Sequence, residues 1–112
     1  MIFVTGPLFS GKQEFISGVL GWSEADFSKK AVRDVQDLAG KADDLNSFAS
    51  ELANYEVVIA TETGCGVVPV DKEERRCREA AGRLACLLAE KADTVVRVCC
   101  GIPKVLKGEL PW

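Results

Sequence analysis

The first thirteen residues constrain this chain more than any other stretch. Met1-Ile2-Phe3-Val4-Thr5 is a short apolar run that predicts a buried strand. Gly6-Pro7-Leu8-Phe9-Ser10-Gly11-Lys12-Gln13 follows at once. This is the phosphate-binding pattern G-x-x-x-x-G-K, with Gln13 where a Ser or Thr normally stands. The two glycines allow the backbone to wrap closely around an anion, which a Cβ would obstruct. Backbone N–H groups of the loop and of the next helix then face the phosphate. Lys12 is placed to reach a β- or γ-phosphate. Three fixed letters alone are a weak signal, and a glycine-rich turn that binds nothing has the same spelling. The position after a predicted strand and before a helix-forming run, Glu14 to Leu20, strengthens the phosphate reading.

With 112 residues the chain has room for one compact domain, taken as 1–112. A hydrophobic content of 47% is enough to build a packed core, which argues against disorder. The net charge is −3, and the Lys and Arg residues are scattered rather than gathered in a basic stripe. A nucleic-acid-binding role is therefore disfavoured. No apolar run is long enough for a membrane span or a signal peptide, so the expected setting is the cytoplasm. Five Cys and no C-x-x-C spacing occur, and His is absent altogether. Without His, a zinc site is disfavoured and a Cys–His dyad within the chain is impossible. Buried thiols in a reducing compartment are the expected state.

Beyond the loop, Phe15, Ile16, Val19 and Leu20 predict a helix that packs on a sheet and ends at Gly21. Trp22 to Ser28 reads as connection. Ala31 to Gln36 is read as a strand, although Ala31, Val32, Val35, Leu38 and Ala39 also fit a helical face. Gly40 to Asp44 reads as a turn, with Asp43 or Asp44 capping a helix from Leu45 to Asn54. Glu56 to Thr61 is a continuous β-branched run, the habit of a strand buried on both faces of a parallel sheet. A loop follows, Glu62-Thr63-Gly64-Cys65-Gly66-Val67-Val68-Pro69, at a strand's carboxyl end, where α/β sheets place their ligands. Asp71 and Glu74 suggest a capping box for a long helix to Lys91, with Cys77, Ala80, Ala81, Leu84 and Leu88 as its buried stripe. Its charges at i,i+4 spacing read as a solvated face. Thr94 to Cys100 is a further strand, closed by Gly101 and Pro103, and Lys104 to Trp112 reads as a short tail that packs back or meets a neighbour. Strands alternating with helices predict a three-layer α/β fold.

Several of these segments resemble one family. The stretch Glu62 to Pro69 resembles the E-x-G-x-G-[IV]-V-P loop of the adenosylcobinamide kinase/adenosylcobinamide-phosphate guanylyltransferases. Arg78-Glu79-Ala80-Ala81-Gly82-Arg83-Leu84 resembles that family's R-[DE]-x-A-G-R-[VL] segment. Ala92-Asp93, Gly101-Ile102-Pro103 and Leu106-Lys107 resemble its carboxyl end, and Val4-Thr5-Gly6 through Lys12 its V-T-G-G-x-x-S-G-K-S. The resemblance implies a P-loop NTPase-like domain with a mainly parallel sheet of about four strands, reduced relative to the family.

It also implies a cobalamin-biosynthesis enzyme that phosphorylates adenosylcobinamide and then transfers GMP from GTP through a histidine. GTP or ATP is the implied cofactor, and a homo-oligomer the implied assembly. The departures bear on each step. The chain is shorter than the family between the first helix and Val57, and it has no His to carry GMP. Gln13 replaces the hydroxyl that binds Mg²⁺, which weakens a metal site without abolishing it. Phe9 stands where the family commonly has Arg, and Pro7 removes a loop N–H. Asp34 is the candidate metal ligand, acting through water. Glu62 is the candidate base or second metal carboxylate, and Lys12 the catalytic cation. Each carboxylate also has a plainer reading, Asp34 as a surface charge and Glu62 as an acceptor for local backbone N–H groups. A non-catalytic nucleotide- or corrinoid-binding relative, acting as a regulatory or partner subunit, is the alternative to a kinase.

Overall fold

The computed structural model describes residues 1–62 and 71–109. Five strands form one sheet in the order β2-β3-β1-β4-β5: β1 (Ile2–Gly6), β2 (Ala31–Val32), β3 (Val57–Thr61), β4 (Thr94–Cys99) and β5 (Ile102–Lys107). The first four run parallel, and β5 returns antiparallel to β4. The central strand β1 pairs with β3 on one side and β4 on the other. Its residues Phe3 and Val4 are buried, as are Val57, Val58, Ile59 and Ala60 of β3. Burial of both alternations explains why these runs are continuously apolar.

Helices cover both faces. Ile16 of α1 (Lys12–Leu20) and Phe27 of α2 (Glu24–Lys30) pack on Val4, Ile59, Val96 and Val98. On the other face α3 (Gln36–Ala39), α4 (Leu45–Leu52) and α5 (Lys72–Lys91) bury Ala39, Ala49, Leu52, Ala81, Leu84 and Leu88 against Phe3, Val58 and Ala60. The architecture is the expected three-layer α/β arrangement with a mainly parallel sheet.

Helix ends agree with the residue chemistry. Gly21 closes α1 in a left-handed conformation, φ 68°. Asp44 accepts from the Asn46 N–H at the start of α4, so Asp44 rather than Asp43 is the cap. Asp71 accepts from the Glu73 N–H to start α5, a simple cap rather than the expected capping box with Glu74. Of the stripe expected on α5, Ala81, Leu84 and Leu88 are buried, while Cys77 and Ala80 lie at its half-buried border.

The tertiary structure changes four local expectations. The connection assigned to Trp22–Ser28 is largely helix α2, started by a Ser23–Asp26 capping box and held by Phe27 in the core. The strand expected over 31–36 pairs only at Ala31 and Val32; Val35 turns into the opposite core and leads into α3. The helical spacing of Val35 and Ala39 had that meaning, whereas Leu38 is exposed. The tail beginning at Lys104 is instead most of strand β5, joined to β4 through Cys100, φ 54°, and Gly101, φ 73°. The thiols are not buried as expected: Cys77 is half-buried, and Cys86, Cys99 and Cys100 are exposed. Cys86 sits on α5 outside its buried stripe, Cys99 ends β4 at an exposed position, and Cys100 belongs to the β4–β5 turn. Cys65 and the rest of the 63–70 segment, with Leu110 and Trp112, lie outside the described residues. No helix among the described residues is long and apolar enough to cross a membrane.

Candidate phosphate site at the sheet's carboxyl edge

The order of strands defines where a ligand belongs. The chain leaves β1 into α1 on one face of the sheet and leaves β3 toward α5 on the other. Adjacent parallel strands whose helices cover opposite faces leave a crevice at their carboxyl ends. The Gly6–Gln13 loop opens at that crevice. A cleft of about 450 Å³ there is lined by Leu8, Phe9, Ser10, Gly11, Lys12, Gln13, Glu14, Arg33, Asp34, Ile59 and Thr61. The backbone explains why the glycines are needed. At Gly6, φ is 153°, and a Cβ would collide with the Val98 carbonyl oxygen. At Gly11, φ is 84°. Phe9 adopts φ 58° and is 92% exposed, so a large apolar ring stands at the rim of the loop.

Lys12 is the best-held residue of the loop. It is buried, and its ammonium donates to the Pro7 carbonyl at 2.7 Å and to Ser10 Oγ at 3.4 Å. The cation therefore lies inside the curl of the loop. Burial lowers its pKa, and the negative charges of Asp34, Glu62 and Glu14 oppose that shift. Gly11 provides no side-chain cap for α1, which leaves the helix N-terminus open toward an anion. The loop is anchored from the turn that follows the neighbouring strand β4: the Gly101 N–H donates to the Ser10 carbonyl at 2.8 Å. The β4–β5 turn thus holds the loop's shape.

The structure brings Asp34 and Gln13 into the same cleft as Lys12, where Arg33 contacts both. Gln13 Oε1 accepts from Arg33 Nη1 at 2.6 Å. Arg33 Nε lies 4.0 Å from Asp34 Oδ2, and both side chains are mostly exposed. Asp34 has φ 56°, a conformation that Asp tolerates better than most residues. Among the described residues no group of three or more His, Cys, Asp or Glu could hold a metal ion. The one amide oxygen at the motif's ligand position is taken by a guanidinium, and a second cation beside it is disfavoured.

Glu62 sits at the end of β3, where its N–H donates to the Gly6 carbonyl at 2.8 Å. It does not line the cleft. Its carboxylate is gripped by Arg97, Nε to Oε1 at 2.6 Å and Nη2 to Oε2 at 3.0 Å. Those hydrogen bonds hold its pKa below the usual glutamate value. A carboxylate held in this way is a weak base, and its evident work is structural and electrostatic. Thr61 N–H donates to Gln36 Oε1 at 3.0 Å, which ties α3 to the same edge. Arg97, Arg33 and Gln36 are the residues the sequence reading missed. Arg97 had a visible signal, a single charge inside the run Val95-Val96-Arg97-Val98. Arg33 had only its place beside Asp34.

A larger hollow of about 1120 Å³ lies away from the loop, between α4 and α5. Its wall mixes Arg76 and Arg83 with Asp43, Asp44, Glu79 and Glu90, with no glycine-rich loop and no excess of cations. Size favours it, but the chemistry for an anion belongs to the smaller cleft.

Comparison with known proteins agrees with this architecture. Residues 16–106 match the family described as cobinamide kinase / cobinamide phosphate guanyltransferase. The chain belongs to this family. The match begins at Ile16 and so leaves out the Gly6–Gln13 loop. A relative from Pseudomonas aeruginosa, the bifunctional adenosylcobalamin biosynthesis protein CobP, is 37% identical over 76 residues. That alignment covers 68% of this chain and 44% of the relative, so the matched part is under half of the relative's length.

Proposed function

We propose that this member of the cobinamide kinase family binds the polyphosphate of GTP or ATP in the Gly6–Gln13 loop and phosphorylates adenosylcobinamide in cobalamin biosynthesis. The observation that carries the reading is the buried Lys12 ammonium, held inside a loop whose helix N-terminus is open toward the same cleft. Phosphoryl transfer asks for positioning and charge more than for covalent chemistry, and both are within reach of a loop and a lysine. In this reading Gly6, Pro7, Leu8, Phe9, Ser10, Gly11, Lys12 and Gln13 embrace the phosphates. Lys12 moves from the Pro7 carbonyl to a phosphate oxygen, an exchange that replaces a neutral partner with a charged one. Residues 1–112 act as one nucleotide-binding domain in the cytoplasm, and a homo-oligomer fits the family resemblance. Guanylyl transfer through a histidine is outside the chemistry of this chain, which has none.

The second reading is a nucleotide- or corrinoid-binding subunit without catalysis. It is favoured by one observation: Glu62, the candidate base, and Gln13, at the motif position where a hydroxyl normally meets the metal, are already engaged by arginines. Calorimetry with GTP and ATP, followed by a phosphorylation assay on adenosylcobinamide, separates the two. Binding with turnover supports the kinase. Binding without turnover supports the second reading, and no binding at millimolar nucleotide removes the kinase and leaves only the corrinoid-binding form of the second reading.

A further inference from the structure

We propose that the guanidinium of Arg33 takes the place of a divalent cation in this cleft, so that the loop holds a polyphosphate without a metal ion. The proposal rests on the phosphate reading of Gly6–Gln13. Its own basis is the position of Arg33, which donates through Nη1 to Gln13 Oε1 at 2.6 Å and lines the same cleft as Lys12. Gln13 lies in the first turn of α1, at the motif position where a short hydroxyl normally meets the metal. A glutamine is too long to copy that hydroxyl. It carries an amide oxygen outward instead, to where the end of β2 delivers Arg33. Gln13 and Arg33 therefore work as a pair: the amide orients the guanidinium, and the guanidinium supplies the positive charge.

The chemistry suits the exchange. A guanidinium has five N–H donors in a planar fork, and it stays charged at any physiological pH. Gln13 engages it through Nη1, and Asp34 approaches Nε only to 4.0 Å in an exposed contact. Donors remain to bridge phosphate oxygens, the geometry in which Arg exceeds Lys. Lys12 inside the loop and Arg33 at its mouth would grip a polyphosphate from two sides. An Mg²⁺ ion in the same place would need the Gln13 oxygen and would stand beside a fixed positive charge.

The test is calorimetry of the full chain with GTP, and separately with inorganic pyrophosphate, each in EDTA and in excess MgCl₂. The wild type should bind both ligands with affinities that change by less than about threefold on adding Mg²⁺. Arg33→Ala should lose about tenfold or more in EDTA, the size of a charge-assisted hydrogen bond, and Arg33→Lys should fall between. The double variant Gln13→Ser, Arg33→Ala should bind more tightly with Mg²⁺ than without. Circular dichroism on each variant checks that the fold is kept. Wild-type binding that depends on Mg²⁺ by tenfold or more, or an Arg33→Ala variant equal to wild type in EDTA, overturns this proposal and leaves the phosphate site standing. Failure of the wild type to bind either ligand under both conditions overturns the phosphate reading, and this proposal with it.

Discussion

Glu62 and Arg97 are joined by two hydrogen bonds, of 2.6 and 3.0 Å, between the two strands that flank β1. Arg97 belongs to β4 and Glu62 follows β3, so the pair ties the carboxyl edge of the sheet together beside the Gly6–Gln13 loop. The Glu62 N–H adds a bond to the Gly6 carbonyl, and Gly6 itself has no room for a side chain. This edge is where the loop needs a firm base.

The pair makes stability depend on pH in a defined direction. Arg97 lowers the folded-state pKa of Glu62, so the unfolded chain binds more protons as acid is added. The contribution is complete above the ordinary glutamate pKa and is lost as pH falls through the lower folded value. Arg97 is 43% exposed, so solvent screens the pair and about 1 kcal/mol is the expected scale. Urea unfolding from neutral to acid pH should show Glu62→Gln losing less stability on acidification than the wild type. Parallel curves for the two proteins would deny Glu62 this role.

Lys12→Ala should weaken GTP or ATP binding by about 1.5–3 kcal/mol, the worth of a charge-assisted hydrogen bond. Burial lowers the pKa of Lys12 in the free protein, so wild-type affinity should fall off on the alkaline side earlier than an ordinary lysine would allow. Affinity measured against pH checks both statements. A Lys12→Ala variant that binds like wild type would remove Lys12 from the site.

Gly40 packs against α5 so closely that an added Cβ would lie 2.5 Å from Cys77 Sγ. Gly40→Ala should therefore cost about 1–3 kcal/mol, the usual penalty of overpacking. Removing the sulfur with Cys77→Ala in the same chain should recover much of that loss. Denaturant midpoints of the two single variants and the double variant measure the coupling, and strictly additive effects would contradict it.

The chain lacks His, so no guanylyl group can be carried on one. After incubation with radiolabelled GTP and acid precipitation, the pure protein should be free of label. Label that survives precipitation would reveal another nucleophile, and peptide mapping would find it.

The sequence by itself determined the layers and the place of the loop. The apolar run Val57–Thr61 identifies an interior parallel strand, Thr94–Cys99 a further strand, and G-x-x-x-x-G-K after the first strand marks the candidate phosphate loop. Caps at Asp44 and Asp71 and the stop at Gly21 are local chemistry, legible without a fold. Long-range pairing decided the rest. Whether Ala31–Gln36 was strand or helix depended on Val35 crossing to the opposite core, and its mixed pattern allowed either. Residues Ile102–Lys107 become a strand because β4 offers them an open edge. The partners of Glu62 and Gln13 are Arg97 and Arg33, 35 and 20 residues away along the chain. Periodicity reports which side of an element is buried, but not which charges from distant strands meet at one edge of the sheet. That meeting set the character of the site, because Glu62, read from the sequence as a base, is held by Arg97, and Gln13 is held by Arg33.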